Sequence, residues 1–423
     1  MTHPITSPAA PVTASLRDLF RVRGYRALCL SSVIWHTTRW GGLFTTTYLL
    51  TATGASPMLI QEVGALLVLP LLVGGFLGGL VSDRFDRKRL VVATQLLLVP
   101  VQVAMLAVVA LGVVEVWMCV PFMLCLGLGG LVNMTAQRPF IYELVGSRHA
   151  SRAMTIESTV QAGSIVFGAL AGGALIERIG VAAAYAAMAG LLVVATLLLL
   201  TVPSTRDVQQ RARGVSLAGQ LRVSARLVHR SRRLVATLLV TVAMNLFLFS
   251  YVPLVPAVAA DLAAGALFAG ALAAAEGVGQ LVGGVVLART GVRRHGLVFA
   301  GGGLLGLVGL LVFAVVPVPG VAFAALFAAG VGHAGFSATQ AMLAIESAAP
   351  SERGAALGVL STAIGAMPLG MVLVGVLASA TGARTALAVS AVLGVASVGA
   401  VLLRMPELRQ RTAPDGMTGR DTA

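Results

Sequence analysis

Twelve apolar runs, separated by mostly short polar connections, divide this chain of 423 residues. A helix needs about 20 apolar residues to cross a hydrocarbon core of about 30 Å. No water is available there to satisfy an open backbone group, so runs of this length read as membrane-spanning helices. They fall, as spans 1 to 12, at 27–50, 58–81, 90–112, 117–142, 153–176, 181–202, 234–259, 262–287, 297–317, 320–345, 355–379 and 385–403. Charged residues make up 11% of the chain and mean hydropathy is +0.93, against about 25% charged residues in soluble domains. Residues 1–24 are polar and Arg-bearing, so no cleavable signal is expected and span 1 stays in the membrane.

The net charge of +14 and isoelectric point near 11.2 would suit a nucleic-acid binder, but the distribution argues otherwise. With the N-terminus inside, every basic residue falls on the inner side except Arg178 and Arg384 in outer loops and Arg39 and Arg138 within spans. Such an excess of Lys and Arg on one side sets a topology with both termini cytoplasmic. It leaves no need for nucleic acid. The expected organisation is a tail at 1–26, a six-helix bundle at 27–202, a cytoplasmic linker at 203–233, a second bundle at 234–403 and a tail at 404–423. The linker carries eight arginines against one acid, Asp207, and reads as a charged connector or a surface helix. Cys29, Cys119 and Cys125 all lie in apolar runs and read as small core residues, not a disulfide or metal site.

The two bundles carry traces of one ancestral unit. The segment Gly78 to Leu90, GGLVSDRFDRKRL, has a degraded copy at Gly283 to His295, GGVVLARTGVRRH. Gly79 matches Gly284, Arg84 matches Arg289, Lys88 matches Arg293, and Asp83 has become Ala288. Fused halves of this kind are how many secondary transporters are built.

The segment from Gly79 to Lys88 resembles the signature G-x-L-x-D-R-x-G-R-[RK] of the major facilitator superfamily, with Asp86 in place of the usual Gly. GALAGG, Gly168 to Gly173, is similar to the exporter motif G-P-x-x-G-G, with Ala169 where Pro is usual. Tyr142 to Ser158 looks like the loop between spans 4 and 5 of the same branch, which contains drug, macrolide and siderophore exporters. The resemblance implies an all-α membrane fold of twelve helices in two pseudo-symmetric six-helix bundles. It also implies a gating latch of Gly79, Asp83, Arg84, Arg87 and Lys88, with Asp83 on the N-terminus of span 11, where a helix end favours a carboxylate. Arg84, Arg87 and Lys88 would add ion pairs between the halves.

Charges inside a bilayer face protein or water, not lipid. In span 1, Ser32, Trp35, His36, Arg39, Leu43 and Thr46 share one helical face, a stripe suited to an anionic or aromatic substrate. Arg39 has the alternative of a buried pair with Glu62 or Glu157. His36 reads as a proton carrier or a plain hydrogen-bonding group. Glu276 in span 8, one turn from Gln280, suits reversible protonation, or else a structural partner. His333, Phe336, Ser337 and Gln340 share a face of span 10, and Asn245 and Tyr251 sit in span 7. These complete the expected cavity lining. Gly168 and Gly172 form a G-x-x-x-G for close helix packing, joined by Gly173.

No phosphate loop, zinc spacing or nucleophile elbow appears in the sequence, so the chain is not expected to be an enzyme or to need a cofactor. The expected function is proton-coupled efflux of a small amphipathic compound by an antiporter, working as a monomer in the inner membrane. Import of a metabolite, or a non-transporting sensor on the same fold, are the alternatives.

Overall fold

The computed structural model describes residues 16–72, 86–204, 217–262, 265–292, 294–349 and 352–409. Gly79, Asp83 and Arg84 of the expected latch lie outside them. Helix dominates, and no strand occurs among the described residues.

Ten helices among the described residues are long and apolar enough to cross a membrane, corresponding to spans 3 to 12. Span 1 is a 28-residue helix, Tyr25–Ala52, whose apolar character is diluted by its polar stripe. Span 2 opens at Pro57 behind Ser56, whose hydroxyl accepts the Leu59 N–H. Proline at the first helical position and serine at the cap are the expected start signals. Asp86 caps span 3 by accepting the Arg89 N–H at 2.8 Å. The residue that departs from the loop signature thus supplies an N-cap. Span 3 ends at Ala110, and Gly112, at φ 69°, makes the left-handed turn that stops it.

Boundaries shift outward in several places. Span 4 runs Val116–Val145 and span 5 runs Ser147–Arg178, so the loop expected between them shrinks to Gly146. Span 4 widens to a π turn at Asn133–Gln137. Span 7 widens at Met244–Leu248 and then tightens to a 3-10 turn at Phe249–Leu254. Such breaks inside membrane helices are tolerated where protein surrounds the freed backbone groups. Span 7 fits that condition: 61% of its most apolar stretch is buried, against 28% for span 3 and 33% for span 12. Part of the central connector is the helix Leu217–Arg230, whose Leu227 is buried with Leu234, Ala356 and Leu360.

The two halves meet along two antiparallel helix pairs, spans 5 and 8 and spans 2 and 11. Glycines permit the approach. A Cβ on Gly173 would strike Ala266 O, and one on Gly270 would strike Ala169 O. Gly375 of span 11 packs on Gln61 and Met58 of span 2. These contacts cluster on the face opposite the termini. On the terminal face, Gly284 in span 8 and Gly354 and Gly358 at the start of span 11 have open space where a Cβ would stand. Among the described residues, the halves are therefore in close contact on the face opposite the termini.

Candidate functional site

Spans 8 and 10 touch backbone to backbone. A Cβ on Gly330 would collide with Glu276 O, and one on Gly279 with Phe327 O. That approach brings the Glu276 carboxylate into reach of His333, whose Nδ1 lies 2.6 Å from Oε1. The Tyr251 hydroxyl, in the 3-10 turn of span 7, donates to Oε2 at 3.1 Å. Glu276 is 8% exposed and Tyr251 2%. A carboxylate so deep in a bilayer needs donors on both oxygens, and here it has them. The His333 ring rests 4.5 Å from Phe249, which also contacts Phe336.

The N-terminal half repeats the chemistry on other helices. Gly168 of span 5 sits against Gly41 N and Thr37 O of span 1. The same pair of helices brings Glu157 to span 1. Ser32 Oγ donates to both carboxylate oxygens, at 2.9 and 2.7 Å, and His36 Nε2 lies 3.1 Å from Oε1. All three are buried, and His36 Nδ1 is buried with no partner. Among the described residues, each half thus holds one buried carboxylate bound by one imidazole and one hydroxyl.

Arg39 pairs with neither Glu62, which is exposed, nor Glu157. Its Nη2 donates to Leu67 O at 3.3 Å, its charge lies 5.2 Å from the Trp40 ring, and Gly130 leaves room for the guanidinium. It is 6% exposed, sealed among spans 1, 2 and 4. Arg138 follows the π turn of span 4 and donates from Nη2 to Gln161 Oε1 of span 5 at 3.0 Å.

Several expected cavity residues are instead packed within their halves in this conformation. Trp35 is buried against Gly129 and Leu98, because glycine leaves space for an indole there. Thr46 hydrogen-bonds Tyr185 OH at 2.9 Å, since a buried phenol needs a partner. Phe336 stacks on Phe299 at 4.8 Å. Asn245 donates to Thr241 O, and Gln340, half-buried, donates to Thr241 Oγ1 at 3.0 Å, so these two form one small polar patch. Gly172 fits against Phe44 and Thr45 of span 1, and Gly173 packs across the halves on span 8.

Two residues of the expected latch, Arg87 and Lys88, are described. Arg87 is ion-paired with Glu143 of span 4, and Lys88 donates to Val202 O and Leu200 O at the end of span 6. A cation at a helix C-terminus meets unpaired carbonyls and a favourable dipole.

The closed face carries links that the sequence did not suggest. Glu177 Oε2, at the end of span 5, accepts the Leu267 N–H in the first turn of span 8 at 2.7 Å, beside Gly265. The Met58 N–H donates to Ser379 Oγ at 3.1 Å, and Gln61 Nε2 donates to Ser250 O at 2.7 Å. An acid followed by a base at a loop edge, as in Glu177–Arg178, gives no sequence signal for such a role.

Comparison with known proteins agrees with this architecture. The family model described as Major Facilitator Superfamily matches residues 28–368 and 271–420. No curated protein sequence matches the chain. Among solved structures, a bacterial homologue of the human lysosomal transporter Spinster, in an inward-facing and unoccupied conformation, aligns with a TM-score of 0.70 at 15% identity. That alignment covers 95% of this chain and 100% of the other. The inward-open xylose transporter XylE from E. coli aligns with a TM-score of 0.67 at 17% identity, over 93% and 97%. A nucleoside transporter aligns with a TM-score of 0.65 at 16% identity, over 89% and 99%. At these identities the likeness is one of fold. The family match over most of the length, two bundles meeting along spans 5 and 8 and spans 2 and 11, and buried charge within both halves lead to one assignment: this chain belongs to the Major Facilitator Superfamily of transporters.

Proposed function

We propose that the chain exports a small amphipathic organic compound, such as a drug, siderophore or secondary metabolite, in exchange for protons. It acts as a monomer in the cytoplasmic membrane by alternating access, with both termini in the cytoplasm and no cofactor. The observation that carries this reading is Glu276, a carboxylate inside a membrane span shared between His333 and Tyr251. A proton can move on or off such a pair, and its charge state changes how tightly spans 7, 8 and 10 are held together. His36 with Glu157 offers the same chemistry in the other half.

The one-sided distribution of basic residues supports cytoplasmic termini, which puts the glycine contacts between the halves at the outer face. In that frame the latch of Gly79, Asp83, Arg84, Arg87 and Lys88 lies at the inner face, where Asp83 would engage span 11 when that face closes. The resemblance of the loop and of GALAGG to exporter motifs supports outward flux. Import is the second reading, favoured by the xylose and nucleoside transporters among the fold neighbours.

The test is transport in proteoliposomes under an imposed pH gradient, with a panel of fluorescent drugs and siderophore-like chelators. Movement of a compound against its gradient toward the more acidic compartment is expected. Movement with the proton gradient identifies an importer, and movement indifferent to pH excludes proton coupling.

A further inference from the structure

Charge in the membrane interior is unevenly matched. Both buried carboxylates, Glu157 and Glu276, are held by an imidazole. Neither guanidinium, Arg39 nor Arg138, has a carboxylate within ion-pair distance among the described residues. A cation held in low dielectric is costly unless an anion binds it directly.

The two arginines differ in access. Arg39 is sealed, stacked on Trp40 and bonded to Leu67 O. Arg138 is half-buried, and so is Gln161. Its Nη2 meets only the neutral amide oxygen of Gln161, and its Nε is buried with no partner. Glu157 lies within the field of Arg138 but commits both oxygens to Ser32 and one also to His36. Ser158, one turn before Gln161, is exposed. An arginine does not leave its exposed part in lipid, so the exposed part of Arg138 belongs to the aqueous path through the protein.

We propose that Arg138, steadied by Gln161, is the anchor for an anionic group of the substrate, so that the transported compound carries a carboxylate or a similar pair of anionic oxygens. A guanidinium presents donors in a fixed fork that matches such a group, and a charge-assisted bond there is stronger than one to an amide. This rests on the reading of the chain as a transporter of a small organic compound, but not on proton coupling.

The test uses the full chain in nanodiscs and three probes with one fluorophore: dansylglycine, dansylamide and N-dansylethylenediamine. The anion is expected to bind about tenfold more tightly than the neutral amide, and the cation least well. Arg138→Gln is expected to erase that preference and Arg138→Lys to retain part of it. Gln161→Glu keeps the arginine but gives it an internal counter-ion, and is expected to erase the preference too. A parent protein that does not favour the anion, or a preference that survives Arg138→Gln or Gln161→Glu, overturns the proposal. If dansylglycine binds as expected but crosses liposome membranes regardless of pH gradient, the coupling reading fails and the anion site stands.

Discussion

Glu276 illustrates what a single buried carboxylate demands of its neighbours. Tyr251 and His333 come from two other spans and serve one oxygen each. Glu276→Gln keeps a polar group of the same shape, so its thermal stability should stay near that of the parent. Glu276→Leu removes both partners' bonds and leaves a hydroxyl and an imidazole unsatisfied, at about 1–3 kcal/mol for each group. Thermal unfolding in lipid should therefore separate the two variants, with the leucine protein melting at a clearly lower temperature. Equal melting would mean that Tyr251 and His333 find other partners. The sequence showed that Glu276 was intramembrane and singled out His333 and Tyr251. It did not show that they meet. His333 lies 57 residues from Glu276, and His36 lies 121 from Glu157. No spacing rule joins side chains on separate helices.

At the scale of helices, glycine sets the geometry of both pairs. Gly330 brings span 10 against the backbone of Glu276, and Gly168 brings span 5 against Gly41 of span 1. A methyl group at either position meets backbone, which cannot swing aside. Gly330→Ala is expected to push spans 8 and 10 apart and lengthen the contact between His333 and Glu276. Overpacking of this kind costs about 1–3 kcal/mol. Gly168→Ala should do the same to His36 and Glu157. Gradient-driven transport should fall sharply in Gly330→Ala while Gly284→Ala, which meets open space, stays near the parent. Comparable loss in both would separate the glycine contact from coupling. The spans themselves were legible because hydrocarbon demands long apolar runs. The π and 3-10 breaks at Asn133–Gln137 and Phe249–Leu254 were not. They answer to neighbours in space, and local composition carries no mark of them.

The whole molecule is held shut on one face by few groups. Two pairs of spans provide the contact, and Glu177 spans the halves by placing its carboxylate on the first turn of span 8. A carboxylate in that position contributes roughly 0.3–1 kcal/mol beyond packing. Glu177→Gln weakens the closed face, so a cysteine placed in the cleft should react faster with an impermeant maleimide added from the side opposite the termini. An unchanged rate would show that packing alone closes that face. The signature loop was visible in sequence, but not that Arg87 would meet Glu143 or Lys88 the end of span 6. A motif names residues, but the partners they meet come from separate helices and carry no local mark.

In the proposed mechanism a proton on the Glu276–His333 pair drives movement of the substrate. This step is tested most directly by comparing Glu276→Gln with the parent in proteoliposomes, measuring uphill transport under a pH gradient and downhill transport without one. The variant is expected to lose uphill transport and keep downhill movement, because the pathway remains and the proton site is gone. Full uphill transport by Glu276→Gln would contradict it.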